Sequence, residues 1–485
     1  MRLTIAMTKI AIAVTAALLA AGCAVGPDYK EPKAAVTDRF QNLNNGTFSA
    51  EDARAHFWTD LNDDTLTQLV DDALTANHDL RIALARFTEA RALRRQSTLD
   101  LFPTVTAGGG YTKSKVSTDQ LAPGVPRESE LYDAGFDAFW ELDFFGRVRR
   151  NIEASRAELQ SAEASLQDAQ VLVTAEVSRT YFELRGQQNQ LAVARRNVDN
   201  QKATLDLTTH LLEAGRGTEL DTARAQAQLS TTLSTIAPLE AAVARSIHRL
   251  GVLTGRDPSA LTDVLVNPKD LPNVPQLVAV GDPGSLLRRR PDIRVAERDL
   301  AASTARIGVA VADLFPSVTF TGSIGYASAR SGDLGNSGTD TYLIGPGISW
   351  AAFDLGRVKA RIDASRARND ESLARYEQTV LRALEETENA LVTHARARDR
   401  LAHVEQAAKS SRSAAQLARV RYENGIIDFL QVLDAERTLL EAEDRLAQSR
   451  TDVATSLIAV YKALGGGWEQ VQPPGMTRSA TALRE

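Results

Sequence analysis

The chain has 485 residues, a formal net charge of −6 at pH 7 and a single cysteine. This length exceeds the usual size of one domain, and the nearly balanced charge gives no basic patch of the kind that binds nucleic acid. The six histidines are scattered without a metal-ligand spacing, and the sequence contains no phosphate-binding loop or nucleophile elbow. An enzyme, a bound metal or another cofactor is therefore not expected.

Residues 1–22 have the composition of an export signal. Two basic residues, Arg2 and Lys9, precede an apolar run that is shorter than the about 20 residues of a membrane-spanning helix. Cys23 follows small residues and resembles the acceptor of a bacterial lipoprotein signal, so we expect N-acyl and S-diacylglycerol groups on it. Ala24 stands where an aspartate would indicate retention in the inner membrane, which favours the outer membrane. An ordinary signal peptide that leaves a free thiol is the alternative.

One pattern occurs twice in the chain, about 210 residues apart. A repeat of this length is a duplicated module, because a solenoid unit has a period of about 20–50 residues. The recurring pairs are Leu101-Phe102-Pro103 with Leu314-Phe315-Pro316, Trp140 with Trp350, and Gly146-Arg147-Val148 with Gly356-Arg357-Val358. The predicted domains are an extended N-terminal segment at 23–64, a first copy at 65–256, a proline-rich linker at 257–283, a second copy at 284–466 and a C-terminal tail at 467–485.

Each copy is predicted to contain two strands of a length that crosses a bilayer when tilted, about 9–11 residues or a little more. Their predicted ranges are 103–116, 131–145, 316–328 and 340–354. The second strand alternates with period 2, which is typical of a half-exposed sheet. Its aromatic face carries Tyr132 and Trp140, and its acidic face carries Asp133, Asp137 and Glu141.

Helices are predicted on both sides of these strands. Their ranges are 65–100, 147–214 and 219–253 in the first copy, and 291–312, 357–424 and 426–464 in the second. A helix of about 65 residues is about 100 Å long, which is too long for the core of a globular domain. The alanine-rich and sparsely apolar composition favours helices packed side by side around a hollow cylinder. A plain extended coiled coil is the alternative.

A sheet in lipid has to close on itself, because unpaired backbone groups at its edges are costly there. Four strands are too few for a membrane barrel, whose smallest members have about eight. Several chains are therefore expected to pool their strands: two would give a filled barrel, and three would leave a lumen. The acidic face would line the water, and Tyr132, Trp140, Tyr342 and Trp350 would lie at the membrane interfaces. The edge of an ordinary β-sandwich is the alternative.

With these features the chain resembles the TolC-like outer-membrane efflux channels, in particular the lipoprotein branch that serves resistance-nodulation-division pumps. The motifs that carry the resemblance are Cys23 with Gly26-Pro27-Asp28-Tyr29, Arg288-Arg289-Arg290-Pro291-Asp292-Ile293-Arg294, Ala312-Asp313-Leu314-Phe315-Pro316 and Asp428-Phe429-Leu430-Gln431-Val432-Leu433-Asp434-Ala435. The resemblance implies an α+β membrane protein that forms a homotrimer. Its twelve-stranded transmembrane β-barrel, with four strands per chain, would continue into a long periplasmic α-helical barrel with an equatorial belt.

The resemblance also implies a periplasmic gate at the two helix returns. Tyr422, Leu430, Asp434 and Glu219 match gate positions, and Arg421 and Gln431 are further candidates. Leu430 and Asp434 are four residues apart and so share one helix face, which in a trimer would form an apolar ring and a carboxylate ring. A solvated helix carboxylate is the plain alternative for Asp434. Ile427 and Gln431 replace a gate arginine and a second ring aspartate, so a single ring of aspartates is expected.

The function implied by the resemblance is a passive exit channel for drugs and other small toxic solutes, opened when a periplasmic membrane-fusion adaptor docks. An inner-membrane resistance-nodulation-division pump would drive the transport. The same channel could instead serve copper or silver export, or type I polypeptide secretion. A lipid-anchored periplasmic coiled-coil adaptor is the remote alternative, although two copies of a strand-bearing module do not suit an adaptor with one helical hairpin.

Overall fold

The computed structural model describes residues 24–32, 37–51, 56–120, 122, 124, 126–272 and 274–468. The expected export signal, Cys23 and residues 469–485 of the expected tail lie outside this part. The chain forms two compact units. One comprises Met1–Lys33, Arg86–Glu163 and Val295–Glu377, and the other comprises Ala34–Ala85, Ala164–Arg294 and Gln378–Glu485. Each unit draws on both copies of the repeat, so the copies themselves are not the compact units.

The helices of the first half are α1 (Asp64–Ala76), α2 (His78–Leu99), α3 (Arg147–Glu213) and α4 (Glu219–Leu253). A short helix α5 (Thr262–Leu265) lies between the copies. The second half contains α6 (Pro283–Arg289), α7 (Pro291–Ala312), α8 (Leu355–Glu423) and α9 (Phe429–Ala463). The two long helices, α3 and α8, have 67 and 69 residues. Within the described residues, none of the helices combines the length and the apolar character needed to cross a membrane.

The strands are β1 (Phe48–Ser49), β2 (Thr104–Lys115), β3 (Glu128–Leu142), β4 (Val278–Ala279), β5 (Ser317–Ser328) and β6 (Asp340–Ser349). Strands β2, β3, β5 and β6 form one antiparallel sheet in that order. The two hairpins are joined through β3 and β5, with Tyr132 opposite Ser328 and Leu142 opposite Val318. The predicted plan of two strands and two long helices in each copy is confirmed.

Several predicted boundaries are wrong, each for a local reason. The helix expected at 65–100 is broken at Asn77, whose buried side chain accepts hydrogen bonds from the N–H groups of Asp79 and Leu80 at the start of α2. The helix expected at 426–464 begins only at Phe429, because Asp428 caps it by accepting from Gln431 N. The strand expected at 340–354 ends at Ser349, which leaves Trp350 beyond it.

The segment expected to be extended, residues 23–64, instead contributes to a core. It contains two 3₁₀ helices and strand β1, which pairs in parallel with β4 of the predicted linker. Phe57 is buried and stacks on Tyr461 of α9 with 4.5 Å between ring centroids. Its neighbours in the same cluster include Trp58, Leu66, Tyr181, Leu250 and Leu457. Apolar residues in a stretch without helical periodicity thus form part of the core, which the sequence pattern did not predict.

The arginine-rich motif at 288–294 supplies a buried ion-pair network in the same unit. Arg290 is 8% exposed, and its guanidinium contacts Asp292 Oδ2 at 2.7 Å and Glu386 Oε2 at 2.8 Å. It also donates to Ala463 O at 2.9 Å, and Lys462 pairs with Glu386 at 2.9 Å. The network ties the junction of α6 and α7 to α8 and α9. Arg290 thus has a structural role here.

Asp168 of α3 makes this network sensitive to pH. Burial, assisted by the negative charge of Asp292, raises the pKa of Asp168 from 3.8 to about 6. The folded chain therefore holds this proton more tightly than the unfolded chain does. Protonated Asp168 therefore contributes to the free energy of unfolding, and this contribution is lost as the pH rises from about 4 to about 6.

We expect Asp168→Asn to raise the urea midpoint of the detergent-solubilised protein at pH 7.5 and to leave it unchanged at pH 4. The charge that Asp168 buries costs up to about 3 kcal/mol above its folded pKa, and asparagine carries no such charge. Asp199→Asn, at an exposed position of the same helix, should leave the midpoint unchanged at both pH values. An equal gain for Asp168→Asn at pH 4 and 7.5 would contradict this assignment.

Candidate functional site

The two helix returns that the sequence singled out have the same construction. Gly215 and Gly425 have φ of 68° and 70°, the left-handed region that favours glycine. Gly215 N donates to Leu212 O at 2.9 Å, and Gly425 N donates to Tyr422 O at 2.8 Å. These bonds satisfy carbonyl groups at the ends of α3 and α8. Residues at matching positions of the two returns are therefore structural equivalents.

The helices that leave these returns are capped in the same way. Thr218 Oγ1 accepts from Asp221 N at 3.2 Å before α4, and Asp428 Oδ1 accepts from Gln431 N at 3.1 Å before α9. Leu220 and Leu430 consequently occupy the second position of their helices. They are 58% and 52% exposed, so each return presents one leucine outward.

The two returns share a small apolar cluster. Ala225 of α4 is buried together with Phe429 and Val432 of α9, and Tyr422 packs against them with its ring centroid 5.6 Å from that of Phe429. Burial, and secondarily the charge of Asp221, raises the pKa of the Tyr422 hydroxyl. Tyr422 thus belongs to the contact between the returns and keeps its proton at neutral pH.

Leu430, Asp434 and Arg437 form a row on one exposed face of α9 at spacings of four and three residues. Arg437 Nη2 lies 3.2 Å from Asp434 Oδ1. Both side chains are largely exposed, so this pair adds little to stability. Its effect is to place a positive charge directly beside the carboxylate of Asp434, which is one of the gate candidates.

The other gate candidates lie at the surface of the same returns. Glu219 is the exposed first residue of α4, and Arg421 and Gln431 are exposed as well. The sequence reasoning missed Leu220 and Arg437. The repeat offset aligns Leu220 with Leu430, and the spacing of three residues between Asp434 and Arg437 is a standard helix ion-pair spacing, so both signals were present in the sequence.

The sheet in the other unit has one apolar and one polar face. The register places the apolar side chains of neighbouring strands side by side, and many are strongly exposed; Tyr342 is 80% exposed. This apolar face carries Val105, Tyr111, Tyr132, Phe136, Trp140, Phe320, Ile324, Tyr342, Ile344 and Ile348. The opposite face is rich in threonine, serine, glycine and aspartate, with Leu131, Phe139 and Leu343 as exceptions. A soluble sheet would cover such an apolar surface.

Two facing glycines mark a close approach of neighbouring strands. Gly135 of β3 lies directly opposite Gly325 of β5. A Cβ on Gly135 would lie 2.6 Å from Ile324 O, and one on Gly325 would lie 2.4 Å from Ala134 O. On the apolar face, a Cβ on Gly322 would meet nothing closer than 3.9 Å. The backbones of β3 and β5 therefore leave no room for a methyl group at this point of the polar face.

The acidic residues predicted for this polar face are not equivalent. Asp133 and Asp137 are exposed along β3. Glu141, near the end of β3, is bonded by both Nε and Nη2 of Arg147, the first residue of α3. Glu141 thus joins a strand to a helix, which leaves Asp133 and Asp137 as the free-standing carboxylates of the predicted lining.

The predicted interfacial aromatic residues differ in their contacts. Trp140 Nε1 donates to Leu101 O at 2.9 Å, and Trp350 Nε1 donates to Leu314 O at 3.0 Å. The same bond in both copies ties a tryptophan at or just beyond a strand end to the turn that follows a helix. Tyr132 lies 4.8 Å from Tyr111 between ring centroids. In the described part of the chain, no group of acidic, histidine or cysteine side chains could hold a metal ion.

We expect Gly135→Ala to destabilise the folded sheet by about 1–3 kcal/mol, because the new methyl group would overlap the backbone of β5. The urea midpoint in detergent measures this loss. Gly322→Ala is the matched control, since its methyl group would point to the open face. Similar midpoints for the two variants would show that the glycine contact does not constrain the pairing of β3 with β5.

The comparisons with known proteins agree with one another. The family model described as outer membrane efflux protein matches residues 69–256 and 283–466. The probable efflux pump outer membrane protein TtgC of Pseudomonas putida is 32% identical over 472 residues, which cover 95% of this chain and 96% of the relative. The cation efflux system protein CusC of Escherichia coli is 31% identical over 460 residues, covering 94% and 98%. The solved outer-membrane channel OprN is 44% identical, with a TM-score of 0.87 and coverage of 92% and 100%.

Proposed function

From the premise that this chain belongs to the outer membrane efflux protein family, we propose that three copies of it form one gated exit channel. The chain is the outer-membrane channel of an efflux pump, and it extends into the periplasm. Our proposal adds that the channel is passive and catalyses no reaction. Drugs and other small toxic solutes would be driven through it by an inner-membrane resistance-nodulation-division pump coupled through a periplasmic adaptor.

The two open edges of the sheet support the trimer proposal. Strands β2 and β6 are its edges, and no further strand among the described residues pairs with either. In lipid, each unpaired N–H or C=O group at such an edge costs several kcal/mol. Pairing β6 of one copy with β2 of the next removes every edge, and the polar face then lies inside, away from lipid. An eight-stranded barrel is filled by side chains, whereas twelve strands leave a lumen.

The gate proposal is supported by the two returns. Leu220, Leu430 and Asp434 are exposed within the first two turns of α4 and α9. Around a threefold axis, the leucines would form apolar rings that exclude water and solutes, and Asp434 would form a ring of carboxylates that attracts cations. Arg437 would reduce that attraction because it lies 3.2 Å from Asp434. Docking of the adaptor would separate the returns and open the rings.

Light scattering during gel filtration in detergent tests the trimer. We expect a particle that contains three chains, because a single chain leaves two strand edges unpaired in the membrane. A stable, folded particle with one chain would refute the proposal. Two chains would also contradict it, since eight strands leave no lumen.

Conductance in planar bilayers tests the gate. The wild-type channel should be mostly closed at rest and should prefer cations. Asp434→Ala should weaken the cation preference, because it removes the carboxylate ring that attracts cations. Arg437→Ala should strengthen the cation preference, measured as the reversal potential in a salt gradient.

The control for these variants is Glu441→Ala. Glu441 forms an exposed ion pair with Arg445 further along α9, at 3.7 Å, and its loss should change neither quantity. If Asp434→Ala behaves like Glu441→Ala, the carboxylate does not line the gate. A large constant current through the resting wild-type channel would show that there is no closed gate.

A further inference from the structure

Residues 24–29, which we call the latch, lie against the junction between β3 and α3. Val25 N donates to Phe145 O at 3.1 Å, as a strand would. Ala24 packs so closely on Gly146 that a Cβ there would lie 2.6 Å from Ala24 Cα. The first described residues of the chain are thus joined by backbone contacts to the end of the membrane-facing sheet.

Arg150 of α3 binds the latch through its guanidinium group. Its side chain is nearly buried: the residue is 4% exposed. Nε donates to Val25 O at 3.1 Å, and Nη2 lies 3.3 Å from Gly26 O, 3.5 Å from Ala24 O and 2.7 Å from Asp28 Oδ1. Nη1 donates to Glu153 Oε2 at 2.8 Å. A buried guanidinium is costly unless its donors are bonded, and most of these acceptors belong to the latch.

Two glycines allow the latch to come this close. Gly26 has a φ of +93°, and a Cβ on it would lie 2.5 Å from Gly308 Cα of α7. A Cβ on Gly308 would in turn lie 2.7 Å from Arg150 Cγ. The latch, the backbone of α7 and the Arg150 side chain are therefore stacked without room for a methyl group. Because α3 and α7 belong to different copies of the repeat, the latch joins both copies.

Tyr29 fixes the other end of the latch. Its ring packs on Ala157 of α3 and on Ala301 and Ala302 of α7, and its hydroxyl donates to Glu297. The guanidinium of Arg298 lies 5.5 Å from the ring centroid. Both parts of this six-residue segment thus contact the same two helices, α3 and α7.

We propose that Arg150 is a clamp that converts the acylated N-terminus from a loose tether into a fixed attachment beside the end of β3. Cys23 is one residue from Ala24, and neighbouring Cα atoms are about 3.8 Å apart. The clamp therefore keeps the acyl groups close to one point, beside the junction of β3 and α3. This inference rests on the proposed acylation of Cys23, but the contacts of the latch do not depend on it.

The test measures how fast a lysine-specific protease cuts the detergent-solubilised protein after Lys30, with mass spectrometry to identify the cut. The protease has to lift residues on the N-terminal side of Lys30 out of their contacts, so the rate reports opening of the latch. Arg150→Gln should raise this rate at least about tenfold, because it removes charged hydrogen bonds. Gly26→Ala should do the same from the latch side, since its methyl group would overlap Gly308.

Arg156→Gln, at an exposed position of the same helix, is the matched control, and the protease should cut it at the wild-type rate. The urea midpoint separates local opening from general loss of stability and should stay unchanged in Gly26→Ala. If Arg150→Gln fails to assemble, the protease rate of Gly26→Ala alone tests the inference, because this variant alters only the latch. Cutting of both variants at the rate of Arg156→Gln would overturn the inference.

Labelling with radioactive palmitate tests the acylation separately. The wild type, Arg150→Gln and Gly26→Ala should incorporate label, and Cys23→Ser should incorporate none. Label retained by Cys23→Ser, or absent from the wild type, would refute acylation of Cys23 while leaving the protease result to judge the clamp. Normal labelling with an unchanged protease rate would refute the clamp and leave the acylation in place.

Discussion

In lipid, a backbone polar group can be satisfied only by another backbone or protein group, and this constraint governs how the chain has to be used. Its sheet offers an apolar surface to lipid but has two open edges. Its opposite face is polar. The open edges require strands from neighbouring chains, and the polar face lines the proposed lumen because the apolar face has to meet lipid.

Duplication explains much of the rest. Each copy uses a tryptophan to hold the turn after a helix, through Trp140 and Leu101 in one and Trp350 and Leu314 in the other. Each copy also reverses its long helices with a glycine of nearly the same φ. These shared features build the scaffold. The copies differ where function is proposed: Asp434 and Arg437 occur in the second copy only, and the latch contacts each copy through different residues.

The long elements were predictable because their signals are repeated over many residues. Period 2 in β3 and the long stretches without proline in α3 and α8 each involve many positions that agree. The helix boundaries that were predicted wrongly depend on single side chains. Asn77 divides a helix by bonding to the backbone at the start of α2, and Asp428 sets the start of α9. Such caps depend on one local contact, which periodicity does not detect.

The candidate gate was predictable in part for the same reason. Leu430 and Asp434 followed from a motif and a helix spacing, whereas the contact of Tyr422 with Phe429 depends on how two hairpins pack. The bonds of Glu141 to Arg147 likewise depend on how the end of β3 meets the start of the next helix. Neighbours that come from another element have no fixed spacing in the chain.

By itself, the sequence determined the duplicated plan, the amphipathic strands and the long helices, because these depend on composition and period along the chain. Only the tertiary structure decided the strand order, the close contact of Gly135 with Gly325, the pairing of Arg290 with Glu386 and the hydrogen bonds of Arg150 to residues 24–28. Each of these brings together residues that are far apart in the sequence. They depend on the close approach of separate backbones, where the absence of one methyl group or the position of one buried charge settles the arrangement.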